Sequence, residues 1–522
     1  MNTKTLGSFL IVFLCLTISA VCFADIKLPA LISDNMVLQQ DSNAPIWGWA
    51  EPGEQIKVTL GDLLPVETIA DRTGKWLVKI KTPKAGGPYE MIIRGKNILL
   101  VKNIMFGEVW VCSGQSNMEM PIAYRAIHFT GILNCEKEIF KTNYPQIRFF
   151  KVEKKTAQSV QDDCCGSWSQ CAPATAADFS AVAYFFCSDL YKKLNVPIGL
   201  IQSAWGGTSV ESWMKKQVLE SDPNFEPILK RFDEAVINYP QAVQEYLQKM
   251  KEWKDACTQA RAQKQKPPME PFPPLGPMYY RAPSVLYNAM IAPLLSYGIR
   301  GVIWYQGESN AERPYQYRKL FPAMVKNWRD DWGQGDFPFY YVQIAPFSYK
   351  NWSRPIYTPE LREAQLMALS LPNTGMAVTM DIGDVNDVHP KNKQEVGRRL
   401  ALWALAKTYG YTGIVYSGPI YKLMKIEGNK IRLYFDHIGS GLMARDGPLR
   451  EFIIAGEDKN FVDAKAIVDG NTVVVSSDKI QNPVAVRYGW RNAAQPNLFN
   501  KDGLPASPFR TDDWFNPDAD RK

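Results

Sequence analysis

The sequence predicts an α/β fold built on a parallel sheet, with all-β regions at both ends of the chain. Three observations predict it. Short alternating segments fill residues 26–101, apolar strands leading into polar turns and helical patterns recur from residue 104, and strand patterns return from about residue 416.

In the first stretch, Ala44-Pro-Ile-Trp-Gly-Trp, Gln55-Ile-Lys-Val-Thr-Leu and Glu90-Met-Ile-Ile-Arg alternate apolar and polar residues. Pro52-Gly53, Thr73-Gly74 and Gly86-Gly87-Pro88 supply turns. A β-sandwich-like domain over 25–103 buries one face of such strands. From Ile104, Glu108-Val-Trp-Val-Cys leads into Ser113-Gly-Gln-Ser-Asn, Ile198-Gly-Leu-Ile-Gln-Ser into Ala204-Trp-Gly-Gly-Thr, and Gly301-Val-Ile-Trp-Tyr into Gln306-Gly-Glu-Ser-Asn. Strand and helix in alternation imply parallel pairing with helices on the sheet faces, here over 104–415. The functional site of such a sheet lies at the C-terminal ends of its strands, where these turns fall. Charged, helix-periodic residues from Asp222 to Arg261, followed by a proline-rich run from Pro267 to Pro277, read as an inserted helical hairpin with an extended return, about 218–278. A solvated decoration is the simpler reading of that insertion, and a lid over the site is the alternative. Lys430-Ile-Arg-Leu-Tyr-Phe, Thr472-Val-Val-Val and Val484-Ala-Val-Arg-Tyr place a second all-β unit over 416–522.

The length of 522 residues calls for two or three domains. Hydrophobic residues at 46% and charged residues at 22% describe a globular chain, not a disordered one. The net charge of +7 is small for this length, and no Lys/Arg block exists to track a nucleic-acid backbone. Lys4, the apolar run Leu6–Val21 and the small residue Ala24 make residues 1–24 a secretory signal peptide, so a periplasmic or secreted protein is expected. A lipid anchor on Cys22 is the lesser alternative, because Val21 is a poor residue before a lipidated cysteine. No comparable apolar run follows, so no integral membrane span is expected. Removing Cys15 and Cys22 from the nine cysteines leaves seven, an odd number that permits disulfides but leaves one thiol over. Cys164, Cys165 and Cys171 lack a nearby histidine and the usual zinc spacing, so no metal is expected there. Oligomeric state is not encoded legibly.

Acyl transfer needs a nucleophile on a sharp turn, a base, and donors for the oxyanion. Ser116 follows an apolar strand and lies beside Gly114, which lets the backbone turn tightly. Taken alone, a serine there is usually an N-cap. The base must come from three histidines, His128, His389 and His437. His128 follows Ser116 too closely to reach back, and His437 sits in the C-terminal β region. His389 lies in the acidic loop Asp381-Ile-Gly-Asp-Val-Asn-Asp-Val-His-Pro at a strand end, where a carboxylate can hold its tautomer.

Gly114-Gln-Ser-Asn-Met, Ala204-Trp-Gly-Gly-Thr, Trp304-Tyr-Gln-Gly-Glu-Ser-Asn and Asp387-Val-His-Pro, taken in order, resemble the sialate O-acetylesterase family of SGNH (GDSL-like) hydrolases. The resemblance runs from Asn35 to Arg510 and implies a three-layer SGNH fold. It makes Ser116 the nucleophile and an oxyanion donor through its amide, with a further amide from Gly206 or Gly207 and the side-chain amide of Gln306 in place of the usual asparagine. It leaves Glu308 as a loop anchor. The family pattern puts its aspartate three residues before the histidine, where this chain has Asn386. Asp387 is the expected orienting carboxylate, with Asp384, or a backbone carbonyl behind a Ser/His dyad, as alternatives. The implied reaction is removal of O-acetyl groups from sialic acid with no cofactor and no metal. The rival readings are an acetylxylan or other plant-glycan acetylesterase and an inactive carbohydrate-binding protein.

Overall fold

A computed structural model describes residues 25–519 except 126–128, 269, 351 and 353–354. The expected signal peptide and His128 therefore lie outside the described residues.

Seven strands open the chain: β1 (Val37–Gln39), β2 (Asn43–Trp49), β3 (Gln55–Leu60), β4 (Val66–Ile69), β5 (Lys75–Lys81), β6 (Gly86–Arg94) and β7 (Ile98–Gly114). The β2–β5 pair and the antiparallel β4–β3–β6–β7 run bury their alternate residues, among them Ile46, Val58, Val78 and Ile93. The 17-residue strand β7 joins this region to the next. Its first half pairs antiparallel with β6, and its second half lies between two strands of the parallel sheet. The boundary expected at 103/104 thus falls within one continuous strand.

The remaining core strands are β8 (Tyr144–Lys151), β9 (Trp168–Cys171), β10 (Ile198–Ala204), β11 (Gly301–Tyr305), β12 (Phe339–Val342) and β13 (Thr374–Ala377), in the order β13-β12-β11-β7-β10-β8-β9. All pairings are parallel except β8–β9. Successive residues of β7 face opposite layers, as strand geometry requires. Val109 and Val111 join a core with Trp304 and Trp328, while Trp110 and Cys112 join another with Phe186, Leu400 and Trp403. Helices on both faces complete the three layers.

Seven helices matter here: α1 (Ser116–Glu119), α2 (Ala181–Leu194), α3 (Glu226–Ile237), α4 (Tyr239–Ala262), α5 (Pro314–Trp332), α6 (Thr358–Met367) and α7 (Lys393–Trp403). α2 and α7 cover one face of the sheet, and α5 and α6 pack together on the other. α3 and α4 form the helical part of the insertion, and Trp253 on α4 donates to the Pro268 carbonyl (2.9 Å) to hold the proline-rich return. No helix among the described residues is long and apolar enough to cross a membrane.

After α7 come two four-stranded antiparallel sheets and a two-stranded pair. Their shared core includes Ile431, Leu433, Val475, Ile454 and Val486. All seven described cysteines are free thiols, and five of them are buried.

Candidate active site

Four turns meet at the C-terminal edge of the sheet. The first leaves β7 at Gly114, whose φ of +138° suits glycine, and a side chain there would collide with the Tyr305 carbonyl oxygen of β11. The Gln115 amide donates to that same carbonyl (2.9 Å), locking the turn to its neighbour strand. Ser116 follows as the first residue of α1 and is half-buried. Among the described residues nothing accepts a hydrogen bond from its backbone N–H, as is usual in a first helical turn.

The second turn leaves β10. Gly206 packs so closely on Ser116 that a methyl group at 206 would stand 3.2 Å from the Ser116 Cβ. Its N–H donates to Glu119 Oε2 (2.6 Å), and Lys154 Nζ bonds the other oxygen of that carboxylate (2.6 Å). The Gly206 amide is therefore spent on α1. Gly207 has a φ of +73°, and its N–H is unspent among the described residues.

In the third turn Gln306 is fully buried. Its Nε2 donates to the Thr208 carbonyl (3.2 Å) and to Asn310 Oδ1 (2.6 Å), while its Oε1 accepts from the Tyr317 hydroxyl (3.1 Å). An amide nitrogen has two hydrogens, so neither is left to face an oxyanion. Gln306 here ties the second turn to the third. Gln115 ties the first turn to the third, with Oε1 accepting from the amides of Gly307 and Ser309 (both 3.4 Å).

The fourth turn carries three aspartates with different tasks. Asp381 holds Arg399 of α7 through two hydrogen bonds (2.6 and 2.7 Å) and anchors the start of the loop. Asp384 accepts from the Asn386 amide (2.9 Å), closing a tight turn. Asp387 accepts from the His389 backbone N–H (2.9 Å) and stands 3.7 Å from His389 Nδ1. That is ion-pair range, longer than a formed hydrogen bond. Phe129 packs edge-on against the imidazole at 5.2 Å. Burial, joined by the Lys393 ammonium and opposed by the Asp387 carboxylate, lowers His389 to about 4.

Asn117, one residue past the serine and fully buried, joins these turns. Its Nδ2 donates to Glu308 Oε1 (2.7 Å) and to the carbonyl of Val388 (3.0 Å), the residue before His389. Its Oδ1 accepts from Lys393 Nζ (2.6 Å), at the start of α7. Burial lowers Lys393 to about 7 and raises Glu308 from its ordinary value. Sequence reasoning placed Glu308 as an anchor but missed Asn117 and Lys393. A polar residue at a helix start resembles a solvated one until the tertiary fold buries it.

His437 packs against Trp403, at the opposite end of α7 from Lys393.

The family model described as carbohydrate esterase, sialic acid-specific acetylesterase matches residues 106–248 and 276–406. The sialate O-acetylesterase of Mus musculus is 32% identical over 443 residues, 77% of this chain and 76% of that protein. The one from Homo sapiens is 29% identical over 532 residues, covering 92% of each. A crystal structure of a carbohydrate acetylesterase from Xanthomonas citri superposes with a TM-score of 0.77 at 37% identity, covering 94% of this chain and 100% of that one.

Proposed function

The chain belongs to the carbohydrate esterase family of sialic acid-specific acetylesterases, and on that premise we propose that it is a serine esterase removing O-acetyl groups from sialic acid, with Ser116 as nucleophile, His389 as base and Asp387 as the carboxylate orienting the histidine. It is a carboxylic ester hydrolase acting on acetylated carbohydrate; the sugar and the residues are our reading. The observation that carries the reading is the Asn117 side chain, which binds the serine turn to the backbone beside His389.

In the proposed reaction His389 takes the Ser116 hydroxyl proton as the oxygen attacks the acetyl carbonyl. The unspent amides of Ser116 and Gly207 donate to the tetrahedral oxyanion. Gly206, whose N–H is held by Glu119, shapes the floor beside the serine instead, and Gln306 keeps Thr208 and hence the glycine turn in place. The sugar hydroxyl departs with the proton from His389. Water, deprotonated by the same histidine, then attacks the acetyl-serine carbonyl, and acetate leaves as the Ser116 oxygen takes the proton back from His389.

Acetate release compared across O-acetylated sialic acid, acetylxylan and acetylated pectin fragments tests the substrate. The highest kcat/KM should fall on sialic acid. Preference for acetylxylan would move the chain to the plant-glycan reading, and no release from any ester would leave a binding protein. We also propose export to the periplasm or medium, from the apolar Leu6–Val21 run. N-terminal sequencing of the mature protein should begin at Asp25.

A further inference from the structure

Beside the second turn lies an arginine that has no carboxylate partner among the described residues. Arg281 follows the proline-rich return of the insertion, and its guanidinium carbon sits 5.5 Å from the ring centre of Phe272 and 5.6 Å from that of Tyr280. Its Nε is buried and has no hydrogen-bond acceptor, and among the described residues no acidic side chain pairs with the guanidinium. The neighbouring cation Lys154, by contrast, is already neutralised by Glu119. Tyr280 is itself held by stacking on Trp205, with ring centres 5.0 Å apart and planes 5° from parallel. Trp205 precedes the glycine pair, and a side chain at Gly207 would come within 2.8 Å of a terminal nitrogen of Arg281. Gly206 touches Ser116. The unpaired guanidinium therefore stands one residue removed from the nucleophile turn, fixed by aromatic faces, with hydrogen-bond donors to spare.

A buried donor left unmade is costly, and the cost is recovered only when an acceptor arrives. A planar guanidinium matches a carboxylate with two parallel hydrogen bonds, the strong charge-assisted kind. We propose that Arg281 binds the carboxylate of an acidic sugar whose acetyl ester is presented to Ser116, and so selects acidic over neutral acetylated sugars. The proposal rests on the reading of Ser116 as the esterase nucleophile. Two sources share this chemistry, a sialic acid and a uronic acid. The insertion, in this account, contributes through its return segment to substrate choice.

The test is a comparison of kcat/KM for wild type, Arg281→Ala and Arg281→Lys on three substrates: O-acetylated sialic acid, the methyl ester of its carboxyl group, and an acetylated galacturonide. Charge-assisted hydrogen bonds of this kind are worth on the order of tenfold to a hundredfold in binding. Arg281→Ala should lose at least about tenfold more on the free acid than on the methyl ester, mostly through KM, and Arg281→Lys should recover part of it. Wild type should show the same penalty when the acid is esterified. Equal losses on acid and ester would make Arg281 a structural residue and overturn the proposal, while leaving the sialate reading intact. Activity on the galacturonide alone, with the same dependence on Arg281, would uphold carboxylate recognition and overturn the sialate reading. A wild-type enzyme indifferent to the carboxylate would overturn the proposal outright.

Discussion

Replacing Asn117 by alanine removes a side chain that ties the serine turn, the histidine loop and α7 together. It deletes three hydrogen bonds, two of them buried: to Glu308 (2.7 Å) and from Lys393 (2.6 Å), with a part-buried one to the Val388 carbonyl (3.0 Å). Two of the partners are ionisable, and bonds to such groups contribute roughly 1.5–3 kcal/mol each, against about 1 kcal/mol for the neutral one. The low end of that range sums to about 4 kcal/mol of lost stability, a large fraction of what holds an ordinary domain folded. Because Val388 precedes His389, the proposed base also loses its tether, and a shift of about 1 Å at the reacting groups costs on the order of a hundredfold in rate. The assay is kcat/KM on an acetyl ester together with the melting temperature. Asn117→Asp provides a companion that keeps an acceptor for Lys393. It places a second carboxyl against Glu308, so the pair holds a proton in the folded state that the unfolded chain releases. The variant should then lose stability as pH rises. A melting temperature and rate within error of wild type for Asn117→Ala would refute the reasoning.

Other perturbations follow from the same geometry. Asp387→Asn should cost about a hundredfold or more in kcat/KM, and Asp384→Asn should lower the melting temperature more than the turnover, since Asp384 closes a turn. Wild-type kinetics in both would favour a dyad, and a large kinetic loss only at Asp384 would move the triad there. With His389 held down to about 4, its base form persists well below pH 6.5, so the acid limb of kcat/KM should fall near pH 4 to 5. The folded state then binds fewer protons than the unfolded state between about 4 and 6.5, and this group's contribution to stability declines as pH falls through that window. Lys393→Met removes a positive charge beside the imidazole and should move the acid limb upward in a pH–rate profile; an unmoved limb would contradict the assignment. Gly206→Ala puts a methyl 3.2 Å from the Ser116 Cβ and 3.3 Å from Glu119 Oε2, and a loss of about tenfold or more in kcat/KM is expected.

The sequence is most informative where one residue type can do only one thing. Gly114 beside Ser116 points to a tight turn after an apolar strand, and the structure puts that glycine at φ +138° against the Tyr305 carbonyl. The scarcity of histidine points to His389, and His437 packs on Trp403 in the structure. The apolar run Val109–Cys112 announces a strand buried on both faces, and both layers claim its residues. The boundary expected at 103/104, however, gives no sign of a continuous strand, and only sheet pairing shows β7 running through it. Hydrogen-bond allocation is the least legible feature. That Gln306 spends both hydrogens on Thr208 and Asn310, or that Glu119 captures the Gly206 amide, depends on contacts between segments far apart in the chain. Lys393 and Asn117 are 276 positions apart, and neither betrays its burial locally.

The central claim is that Ser116 forms the acyl-enzyme with His389 as its base. Mapping the adduct of a serine-directed fluorophosphonate by peptide mass spectrometry tests it directly, in wild type and in His389→Ala. Label on Ser116 in the wild type, strongly slowed in His389→Ala and accompanied by matching loss of acetate release, is the predicted result. Label on another serine, or full esterase activity in a folded Ser116→Ala variant, would contradict it.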